Sequence, residues 1–110
     1  MQLTEHEKLH LGKVRLVIET EYKKHYTIDD LATVALMSRS KLVKSYRQLF
    51  GMGLFEHLQT FRLELGKTLL DNSQLSIKAI AYRCGYHHPC NFTTAFKNKY
   101  GLKPMEYRKL

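Results

Sequence analysis

Apolar residues recur through this chain at intervals of three and four, the period of one face of an α-helix. From about Thr4 to Lys24, Leu11, Val14, Ile18 and Tyr22 follow one another at 3, 4 and 4 among mostly charged neighbours, which predicts an amphipathic first helix. Thr27 caps a second, TIDDLATVA, with Asp29 and Asp30 in its first turn, where carboxylates favour the positive end of the helix dipole. Its inward set is Leu31, Ala32 and Ala35. Ala35 to Met37 is a turn, Ser38 caps a third helix with Leu42, Tyr46 and Leu49 or Phe50 inward, and Gly51 ends it. Leu54 to Asp71 reads as one continuous helix of ~27 Å. Phe55, Leu58, Leu63, Leu65, Leu69 and Leu70 make it apolar on more than one side, as suits a helix packed on both neighbours.

The last third repeats the layout of the second and third helices. Ser76 caps a helix with Ile77, Ile80 and Ala81 on one face, and Gly85, free to adopt the left-handed conformation, stops it. Pro89 opens the next helix behind a His88 cap, with Phe92, Ala95, Phe96 and Tyr100 inward and Gly101 at its end. Pro104 opens a seventh. Two helices joined by a tight turn, the second with a polar outer face, have the form of a helix-turn-helix. The expected fold is therefore all-α, with about seven helices. The expected division is residues 1–53 for one helix-turn-helix, 54–71 for the linker helix and 72–110 for a second.

A chain of 110 residues, 44% hydrophobic, can bury a real core and is too apolar to be disordered. No apolar run approaches the ~20 residues of a membrane span, and the first residues lack a signal-peptide apolar region. Eighteen Lys and Arg against ten Asp and Glu give a net charge of +8, which suits an anionic partner. Its distribution matters more. No acidic residue lies between Asp30 and Glu56, a window holding Arg39, Lys41, Lys44 and Arg47. None lies between Asp71 and Glu106, a window holding Lys78, Arg83, Lys97, Lys99 and Lys103. Each basic window coincides with one helix-turn-helix.

The residues Ile77, Ile80, Ala81, Gly85, Tyr86, Phe92, Phe96, Lys97, Gly101, Pro104, Tyr107 and Arg108 spell I-x-x-I-A-x-x-x-G-Y, then F-x-x-x-F-K-x-x-x-G-x-x-P-x-x-Y-R. This resembles the C-terminal signature of the AraC/XylS family of bacterial transcription regulators. The stretch from Leu31 to Gly51 is similar to the family's first helix-turn-helix, and Arg62, Leu63, Leu69 and Leu70 to its linker helix. The resemblance runs almost continuously from Thr27 to Arg108. Relatives usually carry Ala where this chain has Gly66, a substitution worth about 1 kcal/mol of helix propensity.

The resemblance implies sequence-specific binding of double-stranded DNA to regulate transcription, in the bacterial cytoplasm, without a cofactor or catalytic residues. It implies two recognition helices in successive major grooves, roughly one turn (~34 Å) apart. By motif position Ser40, Val43 and Lys44 face bases in the first unit. Lys44 can donate to guanine O6 and N7, and Val43 can pack on a thymine methyl. In the second unit Pro89, Cys90, Thr93 and Thr94 take those places. The family often has a polar residue at the first of these and Arg at the last, so direct readout here is expected to be weaker. Arg39, Lys41, Arg47, Lys97 and Lys103 are expected on phosphates, which supply affinity without sequence choice. Arg108 is either a backbone contact or a structural partner of a carboxylate such as Glu106. RNA polymerase is a further expected partner if the chain acts alone. As a fragment it is expected to be a monomer, with dimerisation in a sensor domain if it is the excised end of a longer regulator.

Two other patterns point elsewhere. His6, Glu7 and His10 spell H-E-x-x-H, which on a helix sets two imidazoles one turn apart with a carboxylate between them, as in zinc hydrolases. The bland reading is a polar first turn, and it is preferred because no substrate cleft accompanies the motif. Cys84, His87, His88 and Cys90 offer four possible zinc ligands, but structural zinc wants pairs separated by a loop, and the turn here is already set by Gly85 and Pro89. No metal is expected. A nonspecific basic bundle remains the other alternative, distinguished by the absence of any sequence preference.

Overall fold

The computed structural model describes residues 2–110. The described residues form seven helices: α1 (Glu5–Thr20), α2 (Ile28–Ala35), α3 (Arg39–Phe50), α4 (Leu54–Asn72), α5 (Ile77–Arg83), α6 (Pro89–Tyr100) and α7 (Pro104–Arg108). They divide into two compact units, Met1–Gln59 and Thr60–Leu110, and the division falls inside α4. No helix among the described residues is long and apolar enough to cross a membrane.

Most helix starts are fixed by short polar side chains. Thr4 accepts from the Glu7 N–H at 3.0 Å while the Glu7 carboxylate accepts from the Thr4 N–H at 2.9 Å, and Thr27 and Asp30 repeat the exchange at the start of α2. Ser38 and Ser76 accept from the N–H groups of Lys41 and Ala79. His88 occupies the N-cap position of α6 without a side-chain capping bond, so Pro89 alone marks that start.

The two helix-turn-helix corners share one hydrogen-bond pattern. The Met37 N–H donates to Ala32 O at 3.1 Å, and the Tyr86 N–H to Ala81 O at 3.0 Å, each spanning five residues across a left-handed residue. That residue is Gly85 in the second corner, φ 98°, but Leu36 in the first, φ 55°. A leucine there is crowded by its own Cβ, and its side chain stands 73% exposed.

In the first unit Leu11, Val14 and Ile18 of α1, Leu31 and Ala35 of α2, Leu42 and Tyr46 of α3, and Leu54 and Leu58 of α4 form one apolar core. A polar chain runs through it. The Tyr46 hydroxyl meets His57 Nδ1 at 2.6 Å, and His57 Nε2 lies 3.2 Å from the Glu19 carboxylate. The carboxylate can only accept, so Nε2 carries the proton and Nδ1 accepts from tyrosine when the ring is neutral. Burial pushes the Tyr46 hydroxyl up to about 12.

In the second unit Leu63 and Leu70 of α4 meet Ile80, Ala81 and Cys84 of α5 and Phe92 and Phe96 of α6. Gly66 sits at the tightest point. A methyl there would lie 2.7 Å from the Phe92 ring and 3.4 Å from Cys84 Sγ. The helix runs through Gly66 unbroken, so the glycine there buys close approach of an aromatic ring. α7 is tied back to its own unit. The Tyr107 hydroxyl donates to Asp71 at 2.9 Å, and Arg108 donates to Leu75 O at 2.6 Å and Ser73 O at 3.2 Å.

Three sequence expectations are corrected here. α1 ends at Thr20 instead of near Lys24, with Tyr26 donating to the exposed Glu21 carbonyl at 3.0 Å. Arg108 serves backbone carbonyls, while Glu106 accepts from the Lys103 N–H at 2.9 Å. Phe55 is 43% exposed and lies outside the core.

Candidate nucleic-acid interface

α3 presents the outer face that the first basic window predicts. Leu42, Ser45 and Tyr46 are buried, which turns Ser40, Val43, Lys44 and Arg47 outward, all exposed. The cations of its first turn are already engaged. Arg39 donates through Nε and Nη2 to both oxygens of Asp29, each at 2.5 Å. Lys41 pairs with Glu7 of α1, and that ammonium, with the Thr4 N–H, holds the Glu7 carboxyl down to about 2. Arg47 reaches back along the α3–α4 junction, its Nη2 only 3.1 Å from where a Cβ on Gly53 would stand. Lys44 thus stands one turn further along the same outward face, beside Val43 and a hollow lined by Ile28, Arg39, Ser40, Val43 and Lys44.

α6 is more muted. Phe92 and Phe96 are buried, Cys90, Asn91, Thr94 and Lys97 are exposed, and Pro89 and Thr93 are half-buried. The Cys90 thiol lies 3.9 Å from the side-chain Oδ1 of Asn91, and Cys84 is fully buried on the core side. Lys103 is exposed at the N-cap of α7. The first turns of α6 carry no charged side chain, and its cations, Lys97 and Lys99, lie in its last turn.

A family model described as a helix-turn-helix domain matches residues 31–110. The msm operon regulatory protein of Streptococcus mutans is 30% identical over 102 residues, covering 93% of this chain and 37% of that protein. The transcriptional regulator AlkR of Acinetobacter baylyi is 36% identical over 99 residues, 90% of this chain and 32% of AlkR. Among solved structures, the DNA-binding domain of AdpA in complex with a target DNA has a TM-score of 0.84 at 28% identity, over 90% of this chain and 89% of that one. The C-terminal domain of the response regulator AraT from Geobacillus stearothermophilus gives 0.85 at 27% identity, over 99% and 88%. This chain belongs to the AraC-type helix-turn-helix family.

Membership settles the broad function of the AraC-type domain: sequence-specific DNA binding in the regulation of transcription. The family is not an enzyme class, and Glu7 of the H-E-x-x-H pattern is otherwise engaged in this chain. His6 and His10 Nε2 atoms lie 3.0 Å apart, but Glu7 spends its oxygens on the α1 cap and on Lys41. Burial, then the neighbouring His6 and Lys13, lowers the pKa of His10. Among the described residues no three His, Cys, Asp or Glu side chains group as a metal site. This AraC-type domain spans about a third of the length of the relatives it matches.

Sequence reasoning missed Glu7, Ile28 and Asp29 at this interface. For Glu7 a signal existed, the T-x-x-E capping box from Thr4, and it was masked by the histidines around it. Asp29 read only as a helix-dipole acid, and its partner lies ten residues away across a turn. Ile28 shows no sequence signal at all, since its place beside Val43 is a product of the corner.

Proposed function

We propose that this domain recognises a bipartite duplex site, with α3 and α6 laid in successive major grooves and α3 the principal reader of bases. Ser40, Val43 and Lys44 face base edges on α3, and Pro89, Cys90, Thr93 and Thr94 take the corresponding places on α6. Arg39, Lys41, Arg47, Lys97 and Lys103 meet phosphates. The observation that carries this reading is the contrast between the two helices. On α3 the first-turn cations Arg39 and Lys41 are already paired with Asp29 and Glu7, while Ser40, Val43 and Lys44 stand exposed on the same helix. On α6 two threonines, a cysteine and a proline offer few strong donors, so the second half-site is anchored on phosphate and read by shape. Contact with RNA polymerase, a nucleoid location and dimerisation through a sensor domain belong to the same reading at the level of the whole regulator.

Selection of bound duplexes from a random pool at physiological salt tests it. The expected outcome is two enriched blocks about 10 base pairs apart, the α3 block with the sharper base preference. Equal sharpness in both blocks would refute the division of labour. No enrichment would leave only charge-driven binding.

A further inference from the structure

The hollow beside α3 is built by two helices. Ile28 stands at the first position of α2, and Arg39, Ser40, Val43 and Lys44 come from the first turns of α3. It is a shallow, open depression of about 470 Å³ with a mostly apolar lining. Ile28 and Val43 bring its branched apolar side chains, and Val43 is 45% exposed. Arg39 and Lys44 set two cations on its border. One wall is fixed, because the two bonds from Arg39 to Asp29 hold the guanidinium and therefore the aliphatic stem behind it.

An apolar hollow bordered by cations fits an occupant that is apolar at its tip and anionic behind. On the major-groove edge of DNA that combination is the 5-methyl group of a pyrimidine, with its phosphate strand alongside. We propose that this hollow receives a thymine 5-methyl, and that Ile28 of α2 is a specificity-determining residue together with Val43. The inference rests on the DNA reading above, in which Val43 packs on a thymine methyl, and adds to it a second helix, α2, through Ile28. Because the methyl is what is recognised, 5-methylcytosine fits the same place, and cytosine methylation there strengthens binding.

The test starts from the duplex enriched by selection. Each thymine is replaced in turn by deoxyuridine, which removes the methyl and nothing else. One position in the α3 half-site is expected to lose about three- to fivefold in affinity, the effect of withdrawing one buried methyl. In Val43→Ala and Ile28→Ala the thymine-to-uracil ratio at that position is expected to fall to near one. Ile28 also packs against the core, so Val43→Thr, close in shape but bearing a hydroxyl, provides a second variant, again with a reduced ratio. 5-Methylcytosine at that position is expected to outbind cytosine. Uracil tolerated at every position, beside a clear sequence preference, would overturn the methyl assignment and leave DNA binding standing. So would variants that weaken both duplexes equally, since that is the mark of a structural role. Failure to enrich any sequence would overturn the DNA reading and this inference with it.

Discussion

On the proposed reading, single side chains on α3 divide between choosing a sequence and holding the DNA backbone. Lys44→Ala is expected to lower affinity for the selected site by about 1–3 kcal/mol and relax preference at one base position. Lys41→Ala removes a cation already paired with Glu7, so it should weaken all duplexes alike and flatten the salt dependence by less than one phosphate's worth. Competition titrations on matched and unrelated duplexes separate the two, and identical behaviour would mean that base and phosphate contacts are wrongly divided. At Gly66 the structure reverses a propensity argument. Ala should gain about 1 kcal/mol in a helix, yet its methyl would strike the buried Phe92 ring. Gly66→Ala is expected to destabilise the second unit by about 1–2 kcal/mol net, and adding Phe92→Leu should restore part of the loss. Thermal unfolding of the two variants decides it, and a stabilised Gly66→Ala would show that the ring moves aside at little cost.

Helices were the most legible objects in the sequence. Thr27, Ser38 and Ser76 announce their starts because a cap is a local device, readable from neighbours along the chain. The end of α1 was not legible, since no glycine marks it and the Glu21 carbonyl is satisfied by Tyr26, five residues on. Nor was the Tyr46–His57–Glu19 chain, whose members come from three helices. That chain gives the first unit an alkaline limit. Tyr46 titrates near 12 in the folded state against about 10 when free, so the folded state holds the proton more tightly. Its contribution, up to about 2.5 kcal/mol, is complete below pH 10 and lost as pH rises toward 12. Tyr46→Phe is expected to cost about 1–3 kcal/mol at neutral pH, because His57 Nδ1 loses its partner, and to flatten the alkaline loss. The second unit should keep its own alkaline slope, because burial also raises Tyr86 and Tyr100, and a hydrogen bond to Asp71 raises Tyr107. Denaturant unfolding from pH 8 to 12 reads this directly. Unchanged slopes would assign the alkaline limit to other groups.

At the scale of the molecule, charge gives the readable quantity. Five cations are proposed on phosphates, three from the first unit and two from the second. If all five displace counterions, the logarithm of affinity should fall against that of salt with a slope of about −4.5. Fluorescence titration of a full site between low and physiological salt measures it. A slope that is the same on the full site and on the α3 half-site would mean that only the first unit docks. Trimming the duplex to the α3 half-site should itself lower the slope by about 2. The basic windows and the repeat made this arithmetic possible from sequence alone. What they could not reveal is which cations are already engaged, because the pairing of Arg39 with Asp29 and Lys41 with Glu7 depends on the folded corner.

The chain also contains its own reference mutant. The two corners share one backbone path, yet one runs through Gly85 and the other through Leu36. A left-handed leucine is about 1–2 kcal/mol costlier in the folded state, while glycine gives back about 0.5–1 kcal/mol through its freer unfolded chain. Copying the second corner into the first, Leu36→Gly, is thus expected to raise the stability of the first unit by up to about 1 kcal/mol, measurable as a shift in urea midpoint. A loss of more than 1 kcal/mol would mean that the leucine side chain itself holds the corner. For an engineer, the repeat works as a template: where the two copies differ, each records a solution that the other can borrow.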